Sequence, residues 1–244
     1  MAISELDYKG ENFSLSYLIK NPTKEQSILF LHGWGSNKEI MQQAFGSYLN
    51  DFKHIYLDMP GFGQSPNENM VLTTQDYADI VKLFLEKIAA TPQAIAGHSF
   101  GGKVATLLKP DCLILLSSAG VLVPKPFSVK AKIAIFKLLK PFGVQKIRKL
   151  FVSSDAKEMN QAMYETFKNV VDEEFEENFH NINGKALLFW GIDDTATPLW
   201  TAKKIQSIIP NSKLYELAGD HFFFLNNSKY ISEQIALELK DIND

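Results

Sequence analysis

The chain has 244 residues, of which 45% are apolar, so it can bury one sizeable core in a single α/β domain. Its formal net charge of -3 excludes an overall field that would favour nucleic acid as a partner. No basic and apolar leader pattern opens the sequence and no apolar run could span a bilayer, which predicts a cytoplasmic protein without a membrane span. The single cysteine, Cys112, excludes an internal disulfide and lies in an apolar run, where we expect it to be buried.

Short apolar runs alternate with helix-like stretches, a pattern typical of a mostly parallel sheet covered by helices on both faces. Several runs are apolar at nearly every position, as expected for strands buried on both sides. The predicted strands are 13–19, 28–31, 54–57, 94–96, 113–116, 186–189 and 213–217. The predicted helices lie at about 38–49, 74–89, 100–108, 199–209 and 228–240.

One segment interrupts this alternation, because no convincing strand occurs between Ala119 and Asn183. We interpret residues 121–183 as an insertion into a core formed by residues 1–120 and 184–244. A helical stretch at residues 128–140 is stopped by a proline.

The charges of this insertion are segregated along the chain. Residues 125–149 contain seven lysines and Arg148 with no acid, whereas residues 155–177 contain eight acidic residues. The two halves could therefore neutralise each other, or the basic half could bind an acidic partner.

The strongest local signal is Ala-Ile-Ala-Gly-His-Ser-Phe-Gly-Gly at residues 94–102, where an apolar run leads through Gly-x-Ser-x-Gly into a helix. A serine at the tip of such a turn has an exposed hydroxyl, and the flanking glycines permit backbone geometry that a Cβ would obstruct. The following helix directs its N-terminal amides toward developing negative charge. Ser99 is therefore the candidate nucleophile, the alternative being a tight turn with a passive serine.

A second turn, His-Gly-Trp-Gly at residues 32–35, also follows an apolar strand. It could supply a backbone donor, so that the amides of Trp34 and Phe100 would form an oxyanion hole. The alternative is an ordinary glycine-rich surface turn.

Of the five histidines, His221 follows the last predicted strand, at the carboxyl end where open α/β sheets carry their sites. His98 adjoins the serine but projects from the opposite side of the strand end, so we assign it a structural role. His54 begins a strand and His180 lies in the insertion, which favours surface or core positions. His221 is the candidate base, although a loop histidine without a function would occupy the same place.

A catalytic histidine needs an acceptor that fixes its tautomer. Asp193 and Asp194 both follow the penultimate strand, and either could instead cap the next helix. Asp220 is a weaker candidate because adjacent residues rarely point at each other. The residues alone leave Asp193 and Asp194 as alternatives.

Together these motifs resemble those of the α/β-hydrolase superfamily, and the resemblance covers nearly the whole chain. The chain order Ser99, Asp194, His221 is the superfamily's order. The Gly-x-x-Asp-x-x-x-Pro spacing at residues 191–198 is also typical and selects Asp194. Asp-x-Pro-Gly-x-Gly-x-Ser at residues 58–65 matches a loop that is structural in the family.

The resemblance implies a mostly parallel sheet with helices on both faces and a helical cap inserted after the sixth strand. Residues 121–183 match the cap, which in the family covers the catalytic serine and shapes the substrate pocket. Trp34, Phe127 and Phe136 are then candidates to contact substrate, although the two phenylalanines could equally pack as cap core. The implied chemistry needs no metal and no cofactor.

The resemblance is greatest to capped serine carboxylesterases, including those that demethylate pimeloyl carrier protein, and it implies cleavage of a small-molecule ester through an acyl-enzyme. Such relatives use a basic cap to bind an acidic acyl carrier protein. Lys130, Lys137 and Lys140 could share one helical face for that purpose, or form a solvated face instead.

Other activities of the same fold stay open. Relatives that cleave carbon–carbon bonds tend to place an arginine near the site, whereas this chain has only Arg148, inside the insertion. Thioester and lactone hydrolysis would use the same oxyanion stabilisation. Because Ser99 stands at the nucleophile position, relatives that use an aspartate nucleophile are disfavoured. A non-catalytic, ligand-binding member of the fold is the alternative of another class.

Overall fold

The computed structural model describes residues 1–124 and 159–243. Its centre is an eight-stranded sheet in the order β1-β2-β4-β3-β5-β6-β7-β8. Strands β1 and β2 pair antiparallel with each other, and β2 pairs antiparallel with β4, whereas all other neighbours are parallel. The strands are β1 (Ala2–Tyr8), β2 (Glu11–Lys20), β3 (Ser27–Leu31), β4 (Lys53–Leu57), β5 (Ala94–His98), β6 (Cys112–Leu116), β7 (Lys185–Gly191) and β8 (Ser212–Leu217).

Helices follow most of the strands, and polar caps define where several of them begin. Asn37 and Asn160 each accept a backbone N–H with their side-chain oxygen, and Thr73 forms a capping box with Asp76. The described helices are α1 (Lys38–Phe45), α2 (Thr74–Lys87), α3 (Phe100–Leu108), α4 (Gln161–Val171), α5 (Glu176–His180), α6 (Leu199–Ile208) and α7 (Ser228–Asn243), with a short 3-10 helix at Phe223–Leu225.

The sheet is buried on both faces by these helices. Within β3, Leu29 and Leu31 pack in one core with residues of α2, α3 and α6, whereas Ile28 and Phe30 pack in a second core with residues of α1 and α7. Every residue of β3, β5 and β6 is buried, which explains why these strands are almost entirely apolar. The predicted fold class, a mostly parallel sheet covered on both faces, is confirmed.

The structure contains elements that the sequence pattern did not predict. Strand β1 was missed because it lies at the sheet edge and alternates exposed and buried positions, with the apolar Ile3 exposed. Helix α1 ends at Phe45, earlier than predicted, because Gly46 follows it and closes the last turn by donating to the Gln42 carbonyl at 2.7 Å.

The described part of the predicted insertion contains α4 and α5, and it is attached to the core by polar contacts. The Leu72 N–H donates to the Thr166 hydroxyl at 2.9 Å. The Lys103 ammonium on α3 donates to the Val170 carbonyl at 2.8 Å and pairs with Glu173 at 2.5 Å. These contacts hold residues 160–173 beside the start of α2 and along α3. The predicted helix at 128–140 lies outside the described residues, and the division into core and cap stays a prediction.

None of the helices in the described ranges is long and apolar enough to cross a bilayer.

Candidate active site

The loops at the carboxyl ends of the parallel strands meet at one edge of the sheet, and Ser99 lies there between β5 and α3. Its backbone has φ 50° and ψ -113°, a conformation that side chains rarely adopt and that is found at functional sites. The turn is held because the Ser99 N–H donates to the Leu116 carbonyl and the Ala119 N–H donates to the Ser99 carbonyl, both at 3.1 Å. The sequence prediction of a serine at the tip of a tight strand-to-helix turn agrees with this geometry.

Two glycines of the motif are required by close backbone packing. A Cβ on Gly97 would lie 2.3 Å from the Gly101 carbonyl oxygen, and a Cβ on Gly101 would lie 2.5 Å from the His32 carbonyl oxygen. The start of α3 can therefore approach β3 and the turn that follows it only because residue 101 has no side chain. This contact brings the His-Gly-Trp-Gly turn against the serine turn.

The structure joins Asp194 and His221 by a direct hydrogen bond. His221 Nδ1 lies 2.8 Å from Asp194 Oδ2, although the two residues are 27 positions apart. Asp194 Oδ2 also accepts the Thr197 hydroxyl at 2.9 Å, and Oδ1 accepts the N–H groups of Ala196 and Thr197 at 2.8 and 2.9 Å. The carboxylate side chain is fully buried and the histidine side chain is 20% exposed. Among the described residues the second imidazole nitrogen, Nε2, has no hydrogen-bond partner, so it can act outside this pair.

Hydrogen bonding keeps Asp194 ionised despite its burial. Burial alone raises the pKa of a carboxyl group, but the bonds from His221 and from the Thr197 backbone outweigh it and lower the pKa of Asp194 to about 2. A charged carboxylate at Nδ1 holds the His221 proton on that nitrogen and would stabilise an imidazolium.

The other two acids considered from the sequence have different surroundings. Asp193 is exposed. Asp220 accepts the Phe222 N–H at 2.9 Å and so closes a local turn. Of the three candidates, Asp194 is the one that the structure places on His221.

The loop that carries His221 contacts the serine turn through the side chain of His98. His98 Nε2 lies 3.0 Å from the His221 carbonyl oxygen, and the two ring centroids are 4.7 Å apart. Among the described residues, the Ser99 hydroxyl forms no side-chain hydrogen bond, so a proton-transfer contact between Ser99 and His221 belongs to the proposal below. The contact of His98 with the loop of residue 221 was not predicted, since the alternation of side chains along a strand does not show which distant loop packs over its end.

The other three histidines have different partners. His54 is buried at the start of β4, with its ring nitrogens 2.8 Å from the Tyr56 hydroxyl and 2.9 Å from the Leu49 carbonyl. His180 is exposed at the end of α5. His32 Nδ1 donates to the Gly33 carbonyl at 2.8 Å, and its Nε2 accepts the Met59 N–H at 3.1 Å. Burial lowers the pKa of His32, so the neutral ring makes these two bonds and fixes the turn at residues 32–35.

The backbone N–H groups of Trp34 and Phe100 are the two donors predicted for an oxyanion hole. In the ranges that the structure describes, neither of them donates a hydrogen bond. A Cβ on Gly33 would lie 3.2 Å from Ser99 Cβ, which shows how closely the Trp34 turn approaches the serine. The geometry is therefore compatible with both amides facing a group bound at Ser99.

An aromatic wall surrounds Trp34. The centroid of its ring system lies 4.8 Å from that of Phe62, 5.5 Å from that of Phe100 and 5.3 Å from that of Phe167. Its indole Nε1 is buried and has no hydrogen-bond partner among the described residues. The other two predicted substrate contacts, Phe127 and Phe136, lie outside the described residues.

The Asp-x-Pro-Gly-x-Gly-x-Ser loop is a folding element in this structure. Asp58 accepts the Lys38 ammonium and the Lys38 N–H, both at 2.7 Å, and the Gln64 N–H at 2.9 Å. The Ser65 hydroxyl donates to the Asp58 carbonyl at 2.8 Å. The carboxylate and the carbonyl of Asp58 are thus engaged within the loop and the start of α1.

Within the described ranges, no group of three or more His, Cys, Asp or Glu side chains could hold a metal ion. Cys112 is fully buried at the start of β6, and burial raises the pKa of its thiol to about 12, so it is not a nucleophile near neutral pH.

Comparisons with known proteins agree with the fold described above. The sequence model of a family described as "Alpha/beta hydrolase family" matches residues 28–233. An uncharacterized hydrolase of Bacillus subtilis, YugF, is 28% identical and aligns over 89% of this chain and 90% of its own. A pimeloyl-[acyl-carrier protein] methyl ester esterase of Vibrio campbellii is 36% identical over 32% of this chain and 29% of its own. The solved structure of an esterase from Thermogutta terrifontis shares the fold, with a TM-score of 0.75, 15% identity and coverage of 100% of both chains.

Proposed function

The chain belongs to the alpha/beta hydrolase family, and on that premise we propose that it is a serine hydrolase that cleaves carboxylic esters through an acyl-enzyme. The single observation that carries the proposal is the 2.8 Å bond between Asp194 and His221, which lies at the same sheet edge as Ser99 in its strained turn. An ionised, buried carboxylate on one imidazole nitrogen prepares the other nitrogen to accept a proton.

In the first half-reaction, His221 Nε2 takes the proton of the Ser99 hydroxyl as Oγ attacks the ester carbonyl carbon. The carbonyl oxygen becomes an oxyanion, which the amides of Trp34 and Phe100 bind. The imidazolium is stabilised by Asp194 and returns its proton to the alkoxide oxygen as the carbon–oxygen bond breaks. An alcohol leaves, and the acyl group remains on Ser99.

In the second half-reaction, a water molecule attacks the acyl carbon while His221 accepts one of its protons. The tetrahedral oxyanion forms again at the same two amides, and collapse returns the proton to Ser99 Oγ. The products are a carboxylic acid and the free enzyme. Trp34 would line the substrate site, with its buried and unpartnered Nε1 available to donate to an acceptor of the substrate.

A fluorophosphonate probe tests the nucleophile, and nitrophenyl esters of increasing acyl length test the reaction. Wild type and Ser207→Ala, which changes an exposed serine on α6, should both be labelled and active, whereas Ser99→Ala should lose both properties. His221→Ala should lower ester turnover by several orders of magnitude while the protein still folds. A wild-type protein that neither reacts with the probe nor hydrolyses any ester from pH 5 to 9 would instead be a ligand-binding member of the fold.

Thioesters are distinguished from oxygen esters by a similar assay. Both form an oxyanion at the Trp34 and Phe100 amides, so they differ in the leaving group. A kcat/KM for oxygen esters that exceeds the value for matched thioesters supports the proposal, and the reverse order assigns the enzyme to thioesters.

The substrate could be carried by an acyl carrier protein. The likeness to the Vibrio campbellii esterase and the lysine-rich residues 125–149 support this proposal. Lys130, Lys137 and Lys140, which lie outside the described residues, would contact the acidic carrier. The test compares a free methyl ester with its carrier-linked form in wild type and in a variant with all three lysines changed to glutamate. Equal rates for the free and linked esters would remove the carrier from the proposal.

A further inference from the structure

We propose that His98 is a positioning residue, which holds the loop of His221 over the serine turn by donating a hydrogen bond from its Nε2 to the His221 carbonyl. This inference rests on the proposed function, since it assigns to His98 the task of keeping the base in place. It differs from the structural role predicted from the sequence, because the contact acts on the catalytic loop itself.

The partner atom defines the tautomer of His98. A carbonyl oxygen only accepts hydrogen bonds, so the 3.0 Å contact requires that Nε2 carries the proton. Nδ1 is then a bare acceptor, and it is buried with no hydrogen-bond partner in the part of the chain that the structure describes. A Cβ on Gly33 would lie 2.8 Å from this nitrogen, so Nδ1 faces the turn that carries the Trp34 amide.

The ring stays neutral in its surroundings. His98 is 1% exposed, and its ring lies between those of His221, Phe222 and Phe224 at centroid distances of 4.7, 5.2 and 4.8 Å. Burial, and secondarily the nearby His221, lower the pKa of His98 to about 3. The ring therefore adds no positive charge beside His221 near neutral pH.

One side chain thus contacts all three loops of the proposed site. His98 directly precedes Ser99 in the chain, its Nδ1 lies against Gly33, and its Nε2 donates to the His221 carbonyl. In the described ranges no other donor reaches that carbonyl. Asp194 holds the His221 ring at Nδ1, but without the His98 donor the His221 backbone would have only ring packing against the serine turn, which is not directional.

The decisive variants are His98→Phe, which keeps a ring but has no donor, and His98→Gln, whose amide nitrogen reaches about as far as Nε2. A displacement of about 1 Å at a catalytic group costs on the order of 10²-fold in rate. We therefore expect kcat of His98→Phe to fall by about 10²-fold with KM changed less than about threefold, and His98→Gln to recover most of the loss.

A matched control is available at the other end of the sheet. His54 is also fully buried and also contacts a backbone carbonyl, that of Leu49, through Nε2 at 2.9 Å. His54→Phe should lower the melting temperature and leave kcat of the folded protein unchanged. Equal losses of kcat in His54→Phe and His98→Phe would show a general effect of removing a buried histidine and would overturn the assignment.

A readout that does not depend on catalysis separates this inference from the proposed function. The Nδ1 proton of His221, shared with Asp194, should give a downfield NMR signal in wild type and in His98→Gln, and a broadened or missing one in His98→Phe. If His98→Phe does not fold, His98→Asn takes its place, because its shorter amide cannot reach the carbonyl.

An unchanged signal and an unchanged kcat in the variant without the donor would overturn the positioning role. A changed signal in a protein that hydrolyses no ester would support the positioning role while the proposed function fails.

Discussion

Two buried aspartates follow parallel strands at the same edge of the sheet and serve different ends. Asp58 follows β4 and binds the Lys38 ammonium at 2.7 Å, whereas Asp194 follows β7 and binds His221 at 2.8 Å. Both side chains are fully buried, and both accept backbone N–H groups as well. Burial, backbone hydrogen bonding and position in the fold are therefore shared, and none of them distinguishes the carboxylate proposed as catalytic from the structural one.

The two aspartates differ in the side chain that each of them binds. The Lys38 side chain is 2% exposed and also binds Glu39 at 2.8 Å. Although burial lowers its pKa, those two carboxylates raise the pKa of Lys38 above the ordinary value, so that it stays charged and closed off. The His221 side chain is 20% exposed and keeps one nitrogen free. The role proposed for Asp194 requires a partner that can still exchange a proton with a group outside the pair.

The largest expected effect separates the two aspartates by chemistry. Asp194→Asn should lower kcat on the order of 10³–10⁴-fold, because an amide favours the wrong tautomer of His221 and cannot stabilise its cation. Steady-state ester hydrolysis measures the loss, with Asp193→Asn at the exposed neighbour as the control. Near-normal turnover in Asp194→Asn would contradict its role.

The second largest expected effect is a loss of stability when Asp58 is changed. Asp58→Asn leaves the Lys38 ammonium buried without its main counter-ion, so we expect the free energy of unfolding to fall by about 3–5 kcal/mol. Urea denaturation measures this value. The protein that remains folded should hydrolyse esters within a few-fold of the wild-type rate. A large loss of kcat with little loss of stability would place Asp58 in the catalytic machinery instead.

A smaller effect depends on pH. The pKa of Asp194 is lowered from 3.8 to about 2 on folding, so its ionised form stabilises the folded state by about 2 kcal/mol above pH 4. The sign follows because the unfolded chain binds the proton more tightly. This contribution should be lost as pH falls from about 4 to about 2. The difference in unfolding free energy between wild type and Asp194→Asn, measured at pH 6 and pH 2.5, should shrink accordingly, and a constant difference would contradict the assigned shift.

The smallest effect concerns the neighbour that steadies Asp194. Thr197→Val keeps the shape of the side chain and removes the hydroxyl that donates to Asp194 Oδ2 at 2.9 Å. We expect a loss of about 1 kcal/mol in unfolding free energy and less than a tenfold loss of kcat, since two backbone N–H groups still hold the carboxylate. A loss as large as that of Asp194→Asn would mean that the hydroxyl itself takes part in the reaction.

Much of the fold was predictable because its central strands are buried on both faces and read as unbroken apolar runs. Helices α2 and α3 were predictable for a related reason, as each follows a clear cap or turn signal. Strand β1 was not, because an edge strand is half exposed and its alternating pattern is short. Helix α4 was also missed, since its apolar positions pack on loops of the core that no local pattern identifies.

The sequence by itself determined the chemical groups and their order along the chain, because a glycine-flanked serine and a histidine after the last strand are local patterns. The tertiary structure decided which groups meet. The family resemblance selected Asp194 over Asp193, but only the fold brings Asp194 into contact with His221 and the His98 ring against a carbonyl 123 positions away. Such contacts depend on how strands and loops distant in sequence pack at one sheet edge, which local residue patterns do not specify.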